Sequence, residues 1–484
     1  MNIIINGFHN TCYLPLLKNI FDIGFLENIF FIGTREHSVL EKDNIRVFNW
    51  GVCNDADYHD MCDSEPLDQV TISEFAECES LCMKMFDRME FWVDLSYTER
   101  KNLYLKQLRF WHSLITRFNV TVYIGSNVPH EIYDFVIYSI IKKRNGSILC
   151  SIQAEFLSRS FFLNDIFDTS FLAKRVAYKE INSEVIDYYN NKKKHQKSGY
   201  KKPFYMNNTS TRGRIRKPLK FTQKYNQLAG NPNYSQKYIF YPLHYQPEAS
   251  TSPLAKEYVH QELVIQLLDY YLPPDIAIYI KEHPKQTEIG RNAIVNKSTL
   301  NIKIIKRAIK LILKALLGRV KIMSIKKEIV SYSSLLFSKY RDLLSIYNIQ
   351  TKNQRIKFIK TSVDSQELIS NSMAVVTCRG TGAIEALIKE KPVLIFGNYI
   401  YDYAPGVKKI VCKQDMENAY DFIKNFTFSE TELLNYLQLL YDNSYHLVVD
   451  MYYLNEVKID IESNNKEIYG IIEKFLYNAN KENI

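Results

Sequence analysis

Short apolar runs alternate with longer amphipathic segments along this chain. The short runs are rich in β-branched and aromatic residues, which predicts buried strands, and the longer segments carry apolar residues at helical spacing, which predicts helices. In the first half the pattern predicts strands at Asn2–Ile5, Ile29–Gly33, Val120–Gly125 and Ser147–Ile152, and helices at Tyr13–Phe21 and Ile132–Lys143. Strands that alternate with helices favour a parallel sheet.

The same alternation starts again in the second half. The predicted elements are strands at Lys237–Leu243, Ile276–Lys281, Ile356–Lys360, Met373–Thr377 and Pro392–Phe396, and helices at Leu254–Tyr271, from Asp364 or Ser365, and from about Thr381. Two such halves predict an α/β fold with two facing Rossmann-like domains, followed by a C-terminal helical segment. The predicted boundaries are residues 1–189, a linker or loop at 190–233, a second domain at 234–428, and C-terminal helices at 429–484.

Composition narrows the class of protein. A chain of 484 residues with 46% hydrophobic and 24% charged residues is long enough for two or three globular domains. It has no run of eighteen uncharged apolar residues, and its first residues lack a signal-peptide pattern, so we expect a cytoplasmic protein. The eight cysteines form no CxxC pair, although Cys78 and Cys82 share a helix face and His59 is near Cys62, so we expect reduced thiols and no metal site.

Two segments concentrate the net charge of +9. Residues 190–233 are polar and basic, which predicts an exposed linker; nucleic-acid binding is the alternative, but no recognised motif for it is present. Residues 291–327 hold eleven Lys or Arg and no acidic residue, and on a helix the basic and apolar residues fall on opposite sides. This pattern indicates either an element that binds an anionic membrane surface or a surface helix packed on its own domain.

The most informative turn is Lys281-Glu282-His283-Pro284, which ends an apolar run. Proline stops a strand, so His283 is predicted at the carboxyl end of a strand, between Lys281 and Lys285. Ligands bind at that edge of an open α/β sheet, and this charge pattern suits a phosphate. The alternative is a solvated histidine in a surface turn.

Three further loops are predicted at the same edge: His244–Pro253, Thr377–Glu385 and Gly397–Gly406. In Thr377–Glu385, glycines permit a tight turn, and the helix that follows directs free N–H groups at the loop. Arg379 adds a charge and Thr381 a hydroxyl. Glu385 would accept hydrogen bonds from a ribose or only favour the helix N-terminus.

These motifs resemble a known family. HYQPEASTSP, KEHP and TCRGTGAIEALIKEKPVLIFG, within Lys237–Gly406, are similar to the capsule polysaccharide synthesis proteins related to bacterial Kdo transferases. PHEIYDFVIYSIIKK at Pro129–Lys143 resembles a segment of that family's N-terminal domain, and the His-Pro pair is also similar to that of bacterial sialyltransferases. The resemblance implies a GT-B glycosyltransferase that takes an ulosonic acid, Kdo or a nine-carbon relative, from a CMP donor without a metal.

The resemblance also implies roles for individual residues. His283 would stabilise the charge on departing CMP, while the first domain would hold a lipid-linked or oligosaccharide acceptor. Glu131 is the candidate base or carboxylate nucleophile, Glu248 is the second candidate carboxylate, and a hydrogen-bonding role in the loop stays open for both. Arg379 departs from the small residues expected in its loop. The candidate substrate-binding residues are His130, His244, Gln246, Ser250, Thr251, Lys281, Pro284, Thr377, Arg379, Gly380, Thr381, Gly382 and Glu385.

Three functions remain open at this point. The first is a CMP-ulosonic acid transferase, peripheral on the inner face of the plasma membrane through residues 291–327. The second is a UDP-sugar transferase or epimerase on the same fold. The third is a non-catalytic scaffold that binds lipid surfaces, although a scaffold has no need of the polar loops at His244–Pro253 and Thr377–Glu385.

Overall fold

The structure is a computed structural model and describes residues 1–58, 64–87, 95–194, 225–246, 248–283, 349, 354–454 and 456–482. The basic insertion 291–327, most of the linker 190–233, and Pro284, His59 and Cys62 lie outside these residues. Their predictions stay predictions.

The first half forms a six-stranded sheet. Its strands are β1 (Asn2–Asn6), β2 (Asn28–Gly33), β3 (Ile45–Asn49), β4 (Val120–Gly125), β5 (Ser147–Gln153) and β6 (Ser160–Leu163). The spatial order is β3-β2-β1-β4-β5-β6, and all neighbours are parallel except β5 and β6. The four predicted strands are confirmed. Strand β3 was not predicted because Arg46 and Asn49 interrupt its apolar pattern, and β6 was not predicted because it has only four residues.

Helices cover both faces of this sheet. They are α1 (Leu14–Phe21), α2 (Trp50–Asp55), α3 (Gln69–Glu74), α4 (Ala76–Met85), α5 (Tyr97–Arg117) and α6 (Ile132–Lys143). The next helix, α7 (Ser183–Lys193), packs against the second half of the chain instead. Successive side chains of a strand point to opposite faces, so Ile4 packs in one core with Trp111 and Ile137 while Ile3 and Ile5 pack in the other. Burial on both faces explains why β1 is a continuous apolar run.

The second half repeats the topology. Its strands are β7 (Tyr238–Pro242), β8 (Ala277–Lys281), β9 (Ile356–Ile359), β10 (Ala374–Thr377), β11 (Val393–Ile395) and β12 (Val407–Lys409). Their order is β12-β11-β10-β7-β8-β9, and every neighbouring pair is parallel. Counted from its own first strand, each sheet has the order 3-2-1-4-5-6 of a Rossmann-like domain, so the predicted α/β fold with two such domains, the GT-B architecture, is confirmed.

The remaining helices belong to the second half and the C-terminal segment. They are α8 (Gln261–Tyr271), α9 (Ser365–Asn371), α10 (Gly382–Ile388), α11 (Lys413–Glu417), α12 (Ala419–Asn425), α13 (Glu430–Asp442), α14 (Met451–Leu454) and α15 (Ile461–Glu482). The predicted single helix Leu254–Tyr271 is wrong at its start, because Lys256 has a positive φ of 49° that a right-handed helix does not allow. A short 3₁₀ turn, Lys256–Val259, precedes α8 instead.

The two domains share packing. Helix α13 lies beside α7 of the first half, and one apolar cluster joins Phe161 and Leu172 to Tyr238 and Leu437. Helix α15 returns to the first domain, where Ile468, Ile472 and Leu476 pack against α1. The C-terminal helices therefore bind to both domains rather than forming a core of their own. Among the described residues, no helix is both long and apolar enough to cross a membrane.

Candidate functional site

The loops after β7 and β10 meet at the middle of the second sheet. Strand order reverses between these neighbouring strands, which makes their carboxyl ends the usual ligand crevice of such a fold. His244 follows β7, and its Nε2 lies 2.9 Å from Thr377 Oγ1. The same nitrogen accepts the backbone N–H groups of Cys378 and Arg379, each at 3.1 Å.

His244 therefore shapes the loop that follows β10. Because its Nε2 accepts hydrogen bonds, the imidazole is neutral with its proton on Nδ1. Burial, together with the neighbouring His283 and Arg379, lowers the pKa of His244 to about 3, which keeps it neutral at physiological pH. Gln261 fixes the backbone of His244 by accepting its N–H at 2.7 Å and donating to its carbonyl at 3.1 Å.

The glycine at position 380 is required by this arrangement. Gly380 has φ of +128°, and a Cβ there would lie 3.3 Å from Cε1 of His244. The backbone N–H groups of Cys378 and Arg379 are thus bonded to His244. Helix α10 begins at Gly382, and Thr381 is its N-cap residue; the Thr381 side chain is exposed and makes no capping hydrogen bond.

His283 and Lys281 follow the neighbouring strand β8. The His283 ring lies 5.7 Å from the ring of Tyr245, between centroids, and burial and the charge of Lys281 lower the pKa of His283 to about 4. Lys281 is 5% exposed, and its Nζ donates to Val363 O at 2.6 Å and Ser365 Oγ at 2.7 Å. Lys281 therefore anchors the loop after β9, and His283 near His244 is a neutral hydrogen-bonding group.

Arg379 is the unusual residue of the cluster. Its side chain is only 4% exposed, its Cζ lies 4.8 Å from the ring centroid of Tyr399, and its Nη1 has no hydrogen-bond partner. Burial lowers the pKa of Arg379 to about 10, against the raising effect of Tyr399 and Asp402, so the group stays charged at neutral pH. A buried cation with an unsatisfied donor favours the approach of an anion.

Other predicted residues of this domain make contacts within the protein. Gln246 donates to the carbonyl of Val259, and Thr251, fully buried, donates from its hydroxyl to Glu248 O at 3.0 Å. Those contacts shape the turn that carries Glu248 and Ser250. Glu385 accepts from Gln366 at 2.7 Å and lies 3.7 Å from Lys192 Nζ, and burial raises the pKa of Glu385.

The first domain presents a second group of residues at the carboxyl edge of its own sheet. Glu131 precedes α6 without capping it, and its Oε1 lies 3.9 Å from Nε2 of His130. His9, which follows β1, was missed because a lone histidine after Phe8 carries no motif. Burial and the neighbouring His37 and His130 lower the pKa of His9 to about 4.

The two edges face each other across the domain boundary. Glu155, just beyond β5, accepts from Tyr399 at 3.2 Å and from Tyr188 at 3.1 Å. Tyr399 also stacks on Arg379, so a carboxylate of the first domain connects to the loop after β10 through one ring. Leu254, at the end of the His244–Pro253 loop, packs in the core of the first domain.

No metal centre is evident in the part of the chain that the structure describes, where no three His, Cys, Asp or Glu side chains are placed to bind an ion. Cys78 and Cys82 lie on α4 with sulfur atoms 3.9 Å apart, on one helix face as predicted.

Comparison with known proteins gives a family match over part of the chain. Residues 334–439 match the family described as capsule polysaccharide biosynthesis protein, which confirms the resemblance for the segment that contains the loop after β10. The HYQPEAST and KEHP motifs lie outside the matched residues. No curated protein matches the chain.

Several solved structures are similar to it at low identity. The β-Kdo 2,7-transferase of KpsC from Thermosulfurimonas dismutans is 10% identical, with 97% of this chain and 99% of that chain covered and a TM-score of 0.32. The β-Kdo 2,4-transferase of the same KpsC is 13% identical, with 66% of this chain and 79% of that chain covered and a TM-score of 0.31. UDP-GlcNAc 2-epimerase from Methanocaldococcus jannaschii is 9% identical, with 89% of this chain and 94% of that chain covered and a TM-score of 0.25. The fold of this chain is defined by the strand order described above.

Proposed function

We propose that this chain is a glycosyltransferase of bacterial surface polysaccharide biosynthesis, which transfers an ulosonic acid from a CMP donor to a saccharide acceptor. One observation carries the proposal: His244 holds the loop after β10 at the switch point of the second sheet, with the buried cation Arg379 in that loop and His283 beside it. The family match over residues 334–439 supports the polysaccharide context.

The donor phosphate would bind between His283 and the loop after β10. A neutral His283 would donate a hydrogen bond to the phosphate, and the bound anion would raise the pKa of His283. The imidazole would then become positively charged as negative charge develops on the departing CMP. Arg379 would complete its hydrogen bonds on the same anion. Lys281 contributes its charge from a distance, since its Nζ is bonded to Val363 and Ser365.

The acceptor would bind at the edge of the first sheet, beside Glu131. As a base, Glu131 would take the proton of the acceptor hydroxyl and give inversion; as a nucleophile it would form a covalent sugar intermediate and give retention. Glu248 remains the second candidate carboxylate. None of these steps needs a metal ion.

A nucleotide panel tests the proposal directly. Calorimetry with CMP, UDP, GDP and dTDP should show binding of CMP at least about tenfold tighter than of the other three, equivalent to about 1.4 kcal/mol. Tight binding of UDP instead would support a UDP-sugar transferase or epimerase. Binding of none of the four would refute a nucleotide-sugar enzyme.

A matched pair of histidine variants tests the role of His283. His283→Ala should abolish CMP release from a CMP-ulosonic acid, while His446→Ala, which removes an exposed histidine of the C-terminal segment, should not. Both variants should keep the unfolding midpoint of the wild type. Full activity of His283→Ala would exclude the phosphate role.

Membrane association belongs to the same proposal. Residues 291–327 would bring the enzyme to anionic lipid at the inner membrane face, where a lipid-linked acceptor is found. The protein should co-sediment with vesicles of phosphatidylglycerol but not with vesicles of phosphatidylcholine alone. Failure to sediment with either kind of vesicle would refute membrane association.

A further inference from the structure

The chain turns sharply where β1 ends. Gly7 has φ of +97° and Phe8 has φ of +56°, so two consecutive residues adopt left-handed conformations. Such a φ is unusual for a bulky residue and persists only where the surroundings enforce it. Here Phe8 is 2% exposed and packs edge-on against Tyr13, with centroids 5.5 Å apart. The turn places His9 at the carboxyl edge of the first sheet.

Close packing attaches this turn to the loop after β4. A Cβ on Gly7 would lie 1.8 Å from Ser126 Oγ, so only glycine fits there. Ser126 N donates to Asn6 O at 2.9 Å, and Gly7 N donates to Ile32 O at 3.2 Å. The loops after β1 and β4, neighbours at the switch point of the first sheet, therefore form one rigid unit.

A buried polar network joins the end of β1 to the start of α6. Asn6 donates to Asp134 Oδ2 at 3.4 Å and accepts from Tyr133 at 3.1 Å, and Asp134 Oδ2 also accepts the backbone N–H of His130 at 3.3 Å. Asp134 is 3% exposed. These buried hydrogen bonds restrain the residues that they join, so the positions of His130 and Glu131 are set by β1 as well as by α6.

An exposed indole lies beside this unit. Trp50 is 42% exposed although the other described tryptophan, Trp111, is fully buried. It begins α2 directly after β3, and its ring centroid lies 6.3 Å from that of His9 at an interplanar angle of 67°. His9 Nδ1 is buried without a hydrogen-bond partner. An apolar ring face next to an unsatisfied polar nitrogen matches a sugar ring, which offers C–H groups on its face and hydroxyls at its edge.

We propose that Trp50 and His9 bind the acceptor saccharide, with the indole covering one face of a sugar ring and His9 hydrogen-bonding a hydroxyl at its edge. This proposal rests on the proposed transferase function and names the part of the site that takes the acceptor. Glu131, carried by the same rigid unit, would then lie next to the bound ring.

The electrostatics of this edge favour an uncharged sugar ring. Burial and the neighbouring His37 and His130 lower the pKa of His9 to about 4, and burial lowers that of His37, so both imidazoles are neutral at pH 7. The edge of the second sheet differs, because Arg379 keeps its charge there. The two edges thus suit two substrates: an anionic donor on the second domain and a neutral ring on the first.

Saturation-transfer NMR with methyl glycosides tests this without knowledge of the natural acceptor. The probes are the methyl glycosides of glucose, galactose, N-acetylglucosamine and glucuronic acid at millimolar concentration. We expect transfer to the ring C–H protons of at least one neutral glycoside with the wild type, and its loss in Trp50→Ala. Tyr270→Ala, which removes an aromatic residue that is 80% exposed on the second domain, should keep the signal.

A second variant checks the hydrogen bond. His9→Ala should weaken binding of the same glycoside about tenfold, and His9→Gln, which retains a polar group, should weaken it less. Absence of transfer to any neutral glycoside, preference for the glucuronide, or wild-type binding by Trp50→Ala would each overturn the proposal. Calorimetry with CMP on the same samples separates the two proposals. If the wild type does not bind CMP, the CMP-dependent transferase is refuted. If it binds CMP but no glycoside, only the acceptor site is refuted.

Discussion

Replacement of His244 gives the sharpest test of how the second domain is built. His244→Ala removes the acceptor for the N–H groups of Cys378 and Arg379. Leaving a buried donor unpaired costs about 1–3 kcal/mol, so two of them predict a loss of about 2–6 kcal/mol in the free energy of unfolding. His244→Gln offers an amide oxygen to the same donors and should recover part of this loss.

Lowering the pH should destabilise the folded protein through the same residue. In the folded protein the pKa of His244 is about 3, below the ordinary value of 6.5, so between these values the unfolded chain binds a proton that the folded chain does not. The stability contributed by neutral His244 is complete above pH 6.5. It falls as the pH drops toward 3, by at most about 1.4 kcal/mol per pH unit. His244→Gln should lose this part of the pH dependence.

Urea unfolding followed by far-UV circular dichroism at pH 7.5 and pH 5 measures both effects. We expect a lower midpoint for His244→Ala at pH 7.5, and a smaller shift of the midpoint between the two pH values in His244→Gln than in the wild type. CMP affinity should fall in His244→Ala, since the loop after β10 loses its support. An unchanged midpoint in His244→Ala, or equal pH shifts in the wild type and His244→Gln, would refute a loop-holding role.

Three further variants test separate features. Gly7→Ala should destabilise the first domain by about 2–4 kcal/mol in urea unfolding, because its φ is positive and Ser126 occupies the space, whereas Gly24→Ala, with open space around it, should be neutral or slightly stabilising. Arg159→Ala should lower the free energy of unfolding by about 2–4 kcal/mol, since its guanidinium stacks on Tyr441 in the last turn of α13 and bonds Tyr441 O and Ser444. Arg379→Met should leave the unfolding midpoint nearly unchanged yet weaken CMP binding about tenfold in calorimetry, and unchanged CMP affinity would contradict its role in binding an anion.

Much of the candidate site was predictable from residue pattern. The strands that carry it are short apolar runs followed by polar loops, so β7, β8 and β10 and the edge at which they end were predicted. That edge brings His244, His283 and Arg379 into one region, as expected. The direction in which each side chain points was not predictable: Lys281 was expected at a ligand and instead bonds to Val363 and Ser365.

The residues missed by sequence reasoning share a cause. His9, Trp50 and Glu155 lie far apart along the chain and match no motif. Sheet order brings them to one edge, because β1, β3 and β5 all end at the same side of the first sheet. A weak signal was present at Gly7, since a glycine directly after a buried strand indicates a turn that other residues do not adopt.

The amino-acid sequence was enough to predict the α/β class, the two domains and the loops that hold the proposed chemistry, since these depend on hydrophobic period and on local turn residues. The residues that those loops contact are known from the folded structure alone. His244 accepts hydrogen bonds from the loop after β10, Arg379 is buried against Tyr399, and α15 packs on the first domain. Burial, charge and hydrogen-bond direction at a sheet edge depend on neighbouring strands. At the two switch points the neighbours, β1 with β4 and β7 with β10, are more than a hundred residues apart along the chain.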